Sequence, residues 1–207
     1  MLDDTSAETT TAAATPSPSA NTEAPSPHLP ALQQVIYEIE SQVARLGWDG
    51  PPRLYALVNA HEALQHTPDL RDHIDSAALA NLADDAHTFL AIEQDQLPLG
   101  VDIAELLPTI EWPEEVAGAA ICLEQLFLPP EYDHDIPQDP EEAAAFVAQH
   151  PHRMEVRIAA GIVREGTSWS VARMRKFDDD KNVLSGPALA PALVELLQYG
   201  FMPNPSA

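Results

Sequence analysis

The run 116-VAGAAICLEQLFL-128 sets thirteen mostly apolar residues in a row, with Pro113 shortly before it and Pro129-Pro130 directly after. An uninterrupted apolar stretch fits either a buried helix or a strand covered on both faces, because periodicity alone does not separate the two. β-Branched and aromatic members stand towards its ends, as at Val116 and Phe127, which favours a central strand. A central strand of this composition requires other elements on each of its faces. The remaining chain must therefore supply both a sheet around the run and layers to cover that sheet.

Those elements can be read in order. Leu32, Val35, Ile36, Ile39, Val43 and Leu46 recur at helical spacing, so a first helix begins at about Leu32 and ends at Gly47. After the turn residues Asp49-Gly50-Pro51-Pro52, Arg53–Val58 reads as a short buried strand. The stretch from His61 to about Ala86 is polar, Ala-rich and broken by Pro68, which predicts two or three short helices. Thr88–Ile92 reads as a strand, Asp102–Ile110 as a short helix, and Trp112-Pro113 as a stop. Asp139-Pro140-Glu141-Glu142 combines an acidic cap with proline at the first helical position, so a helix over Pro140–Gln149 follows. Met154–Val163 and Ser168–Lys176 flank Arg164-Glu165-Gly166-Thr167. A two-residue Glu-Gly turn would pair Ile162 with Trp169, Ala160 with Val171 and Glu155 with Lys176. Ser185-Gly186-Pro187 opens a last helix carrying Leu189, Leu193, Val194 and Leu197. The expected fold is α+β: a mostly antiparallel sheet of about four or five strands with a C-terminal hairpin, bracketed by N- and C-terminal helices. Residues 1–30 hold no Ile, Val or aromatic side chain and read as a disordered Ala/Ser/Thr/Pro-rich tail, leaving 31–207 as a single acidic domain.

Charge narrows the functional classes. The chain has 10 Lys and Arg against 33 Asp and Glu, a formal net charge of −23, which repels nucleic-acid phosphates and anionic membranes. Residues 31–150 carry 23 acidic and 3 basic side chains, whereas residues 151–207 carry 6 and 7. This imbalance suits a solvated surface partly neutralised by the basic end, or an acidic face for a protein partner with a basic surface. A single cysteine, Cys122, excludes an intramolecular disulfide. The N-terminus lacks a secretion signal and no run is long enough to span a membrane, so a cytoplasmic location is expected.

No catalytic, cofactor-binding or metal-binding residue is assigned. The segment 131-EYDHDIP-137 groups Glu131, Asp133, His134 and Asp135, but a single histidine among prolines reads as an exposed connector. In 178-DDDKNVL-184, Asp178, Asp180 and Asn182 match the start of a calcium loop. Val183 then stands where glycine is needed and Leu189 where the bidentate glutamate belongs, which excludes an EF-hand. His61, His66, His73 and His87 lie in polar helical sequence, and His150 and His152 flank Pro151. Cys122 sits inside the apolar run, where a thiol is inert packing. The informative oddity is Glu124, a carboxylate within the central strand. A buried charge requires a partner, and Arg157, Arg173 and Arg175 lie on the hairpin. Either Glu124 faces solvent or meets one of these arginines as a structural pair, or the four residues form an arginine-lined pocket for an anionic ligand, with Glu124 orienting the guanidinium groups.

The blocks 50-GPPRLYALV-58, 93-EQDQLP-98, 112-WPEEVAGAAICLEQLFLPP-130, 150-HPHRMEVRIAAGIVR-164 and 185-SGPALAPALVELL-197 carry a resemblance to a family of uncharacterised conserved actinobacterial proteins. The likeness spans about residues 30–200 and contains no catalytic motif. It implies a cytoplasmic α+β protein and supplies no site residues. The 32 alanines, and 8 Arg against 2 Lys, agree with a high-GC genome. Two functions follow as expectations: a non-enzymatic binding or adaptor protein, chaperone-like, using its acidic surface, or a binder or enzyme for an anionic ligand held by the hairpin arginines.

Overall fold

The computed structural model describes residues 26–67, 69, 87–95, 97 and 100–202. The apolar run forms a strand, β3 (Val116–Phe127), at the heart of an antiparallel sheet. β1 (Arg53–Asn59) and β2 (Phe89–Glu93) lie on one side of it; β4 (Met154–Val163), β5 (Ser168–Met174) and β6 (Leu184–Gly186) lie on the other. The order across the sheet is β2-β1-β3-β4-β5-β6. That makes six strands, against the four or five expected.

The additional strand is β6, which pairs Gly186 with Ser170 where the sequence reading opened the last helix. That helix, α5 (Pro191–Tyr199), starts later with proline in its first turn, so Leu189 lies outside it and is exposed. The other helices are α1 (Leu29–Ala44), α2 (Ala60–His66), the short α3 (Ile103–Leu106) and α4 (Pro140–Gln149). α1 opens at Leu29, three residues before the expected start, with Pro30 in its first turn. Ser26 also donates a hydrogen bond to Glu165, and His28 packs edge-on to His87, so residues 26–30 belong with the domain. Residues 1–25 lie outside the described residues, as do Pro68, His73 and the rest of 70–86, where further helices were expected.

Both faces of the sheet are covered, which explains why β3 has no polar alternation over most of its length. On one face Leu32, Val35, Ile36 and Ile39 of α1 pack with Tyr55, Cys122, Ala159 and Val171. On the other, Leu193 and Leu197 of α5 pack with Leu107, Ile121, Ile158 and Ile162. Small residues at the centre permit close approach: β3 pairs Ala120 with Gly161 and Cys122 with Ala159. A Cβ on Gly161 would collide with Cδ1 of Ile36, so α1 is seated where that glycine leaves room.

The hairpin forms, but its register differs by one residue from the expected one. β4 and β5 pair Ile162 with Ser168, Gly161 with Trp169 and Ala159 with Val171. The loop is Arg164-Glu165-Gly166, closed by Gly166 N–H donating to the Val163 carbonyl at 2.8 Å, with Gly166 in the left-handed region at φ 94°. A three-residue loop ending in a left-handed glycine is a preferred hairpin connection, and it replaces the two-residue Glu-Gly turn. The slip reassigns the faces. Trp169 and Val171 join Ala159 beneath α1, whereas Ile162 and Ala160 turn to the α5 side. Glu155 consequently meets Arg175, at 2.7 Å, in place of Lys176.

Candidate functional site

Arg157 stands on β4 directly between Glu124 of β3 and Arg173 of β5. Two guanidinium groups side by side under a helix require anionic partners there. α1 supplies one in Glu40, which is 0% exposed. Its carboxylate accepts from Arg173 Nε at 2.7 Å and from Arg173 Nη2 at 2.8 Å, a bidentate pair. Arg157, likewise 0% exposed, has Nη1 3.8 Å from the same carboxylate and donates through Nη2 to Glu124 at 2.9 Å. The Gly47 carbonyl also accepts from Arg157 Nη2. Arg173 reaches outward to Asp180 at 2.7 Å and Asp178 at 3.4 Å. Hydrogen bonding to Glu40, the largest influence, raises the Arg173 pKa further above its ordinary value.

A loop roofs this network. After α1, Gly47 takes φ 93° and Asp49 φ 68°, which turns Gly47-Trp48-Asp49 back over the sheet. The Trp48 ring lies 4.2 Å from the Arg157 guanidinium and 5.5 Å from that of Arg175, and its N–H donates to Asp178 at 2.9 Å. Asp49 donates its backbone N–H to Glu124 at 2.7 Å and accepts from Arg175 at 2.8 and 2.9 Å. The Arg175 hydrogen bond holds the Asp49 carboxyl below the usual carboxylate range. Asp tolerates the left-handed region better than most residues, so this position costs the chain little. One cleft of about 390 Å³ adjoins the roof beside Trp48 and Asp49, and a second of about 540 Å³ lies at the open end of the hairpin. The Arg175–Glu155 pair and Arg153 line both.

A family described as PPA1309-like protein has a sequence model that matches residues 32–202, from α1 through α5. The chain belongs to that family. Neither the curated proteins nor the solved structures gave a match. In this PPA1309-like chain the matched span contains the whole network and its roof.

The structure brings together all four residues singled out in the sequence. Glu124 and Arg157 form an ion pair, and Arg173 and Arg175 join them through Glu40 and Asp49. Glu124 is the outer member, with its side chain 21% exposed, and Arg157 is the buried one. Sequence reasoning missed Glu40, Trp48 and Asp49. The signal for Glu40 was present, since it stands four residues after Ile36 and so falls within the apolar stripe of α1. Elsewhere in the PPA1309-like chain, EYDHDIP lies in a 3-10 turn at Pro130–Asp135 with Glu131, Asp133, His134 and Asp135 exposed. His150 and His152 pack against Tyr132. In DDDKNVL, Asp178 and Asp180 turn back onto Arg173. Burial pushes the Cys122 thiol up to about 12, the mark of a packed and unreactive group. No three His, Cys, Asp or Glu side chains are arranged to hold a metal ion among the described residues. No helix among them is long and apolar enough to cross a membrane.

Proposed function

We propose that this PPA1309-like protein is a non-enzymatic binding or adaptor protein of the cytoplasm, which recruits a protein partner with a basic surface. The observation behind this reading is the segregation of charge. Arg157 and Arg173 are buried against Glu40, Arg53 is tied to Glu93, and Arg164 donates to the carbonyls of Trp112, Pro113 and Val116. Across residues 130–142, by contrast, Glu131, Asp133, Asp135, Asp139, Glu141 and Glu142 are all exposed, and none is paired with a lysine or arginine among the described residues. α4, which begins there, has no buried residue and projects its acidic first turn outward. A face of this sign steers and selects partners of opposite charge. The hairpin arginines of the competing anionic-ligand reading face their own carboxylates, which favours a structural role for Arg157 and Arg173.

The test is recovery of partners from a soluble extract of the source cells at near-physiological salt. Wild type is compared with the variant Glu131→Lys/Asp133→Lys/Glu141→Lys/Glu142→Lys. A protein bound by wild type and lost from the charge-reversed variant supports the proposal. Equal recovery by both, or none by wild type at high concentration, removes it.

A further inference from the structure

We propose that the cleft at the open end of the hairpin binds a small amphipathic organic anion, with a phosphate or carboxylate head and a compact apolar body. The cleft measures about 540 Å³, within the range of small-molecule sites. Arg153 and Lys176 line it, together with Arg175. Arg175 is paired with Asp49 and Glu155. Arg153 and Lys176 are exposed and neither makes an ion pair among the described residues. Arg45, Arg164 and Lys181 are also exposed without an ion pair among the described residues, so what distinguishes Arg153 and Lys176 is that they line the same cleft. Glu155, the carboxylate on the cleft wall, is already engaged by Arg175 at 2.7 Å and so competes weakly for them. Two uncompensated cations at one concavity provide the donors that an anionic head requires.

The other wall is apolar. Met154 and Met174 are half-buried at the ends of β4 and β5, and thioethers adapt their shape to a guest. Phe177 is 49% exposed, with the Lys176 ammonium 5.6 Å from its ring centroid. The 3-10 turn Arg175–Phe177 presents the cation and the ring side by side, so a ligand meeting Lys176 with its head lays its body on Phe177 and the methionines. The strands beneath are held by the buried network, which fixes the backbone of β4 and β5 under the cleft. The cleft borders the acidic segment through Pro129 and through His152, which stacks on Tyr132, but none of the carboxylates proposed to meet a protein partner lines it, so the two readings are tested apart.

Titration of phenyl phosphate into the full chain, followed by calorimetry and by the NMR shifts of the Met154 and Met174 methyl groups, tests the proposal. Saturable binding at one site is expected, with both methyl signals moving. Arg153→Ala and Lys176→Ala should each weaken binding by about tenfold, the weight of one charge-assisted hydrogen bond. Inorganic phosphate should bind less tightly than phenyl phosphate, and Phe177→Ala should narrow that difference. Both cations are exposed, so these variants should retain the wild-type melt, which circular dichroism verifies. Binding that persists undiminished in Arg153→Ala/Lys176→Ala, or the absence of saturable binding to wild type, overturns the proposal. Inorganic phosphate binding as tightly as phenyl phosphate rejects the amphipathic ligand. The charge-reversed variant Glu131→Lys/Asp133→Lys/Glu141→Lys/Glu142→Lys should bind phenyl phosphate at least as well as wild type, which separates this test from that of the acidic face.

Discussion

Glu40 and Glu124 both pair with Arg157, yet their surroundings give them different weights. Glu40 stands on the sheet-facing side of α1 without exposure and is the only carboxylate among the described residues to reach both buried arginines. Glu40→Gln removes the one fully buried carboxylate of the network, which Arg173 grips through two nitrogens and Arg157 approaches at 3.8 Å, and should cost about 3–5 kcal/mol. Glu124 is partly wetted, and without it Arg157 keeps the Gly47 carbonyl and the Trp48 face, so Glu124→Gln should cost about 1–2 kcal/mol. Denaturant melts of both variants check the order, and equal losses would show that the network does not centre on Glu40. Glu124 was conspicuous in the sequence because one charge interrupts an apolar strand. Glu40 was not, because a glutamate on a helix is ordinarily solvated and its burial depends on where the helix is set down. Burial raises the Tyr55 hydroxyl and the Cys122 thiol, each to about 12. In the unfolded chain they ionise near roughly 10 and 8.5, so above about pH 9 that state binds fewer protons than the folded one. Stability should therefore hold below that pH and fall as pH rises towards 12. Tyr55→Phe should flatten the alkaline limb of a plot of unfolding free energy against pH; an unchanged slope would place the loss elsewhere.

Among the elements, strands and capped helices were legible where local chemistry alone decided them. α4 runs over Pro140–Gln149, the span indicated by its cap and proline, and Asp139 accepts from the N–H groups of Glu141 and Glu142. β4 begins and ends at the residues expected from hairpin patterning, whereas its register was not legible, since Glu-Gly serves a two-residue turn or a three-residue loop with glycine last. The choice falls to packing, because only the observed slip puts Trp169 and Val171 under α1 and brings Arg173 to Glu40. β6 escaped notice because three residues give no periodicity and its pairing with β5 is tertiary. The seating of α1 can be tested through Gly161. Gly161→Ala would press a methyl group against Ile36 and should cost about 1–3 kcal/mol as overpacking. Ile36→Val removes the clashing Cδ1, so the double variant should be more stable than the sum of the single losses implies. Additive losses would mean that α1 does not rest on this glycine.

Across the whole molecule, the α+β class followed from one apolar strand and the elements needed to cover it, and the charge imbalance followed from counting. The arrangement of that charge in space did not, since linear sequence separates Glu40 from Arg173 by 133 positions that the fold closes. The fold divides the charges into two populations with opposite responses to salt. Arg157, Arg173 and Glu40 are shielded from solvent and respond weakly to ionic strength. The excess carboxylates are outside and repel one another through water, a repulsion that salt screens over about 10 Å at 0.1 M. With a net charge of −23, relief of repulsion should exceed the loss of exposed pairs such as Arg53–Glu93. The melting temperature should therefore rise with added sodium chloride, by roughly 2–4 °C for each 1 kcal/mol of repulsion screened. Scanning calorimetry of wild type and Glu40→Gln from low to moderate salt measures both responses. The two melting curves should climb together with a constant gap, because the variant loses an interaction that salt does not reach. A gap that closes as salt rises would show that Glu40 feels the solvent, and a melting temperature that falls would mean exposed ion pairs outweigh the repulsion among the surface carboxylates.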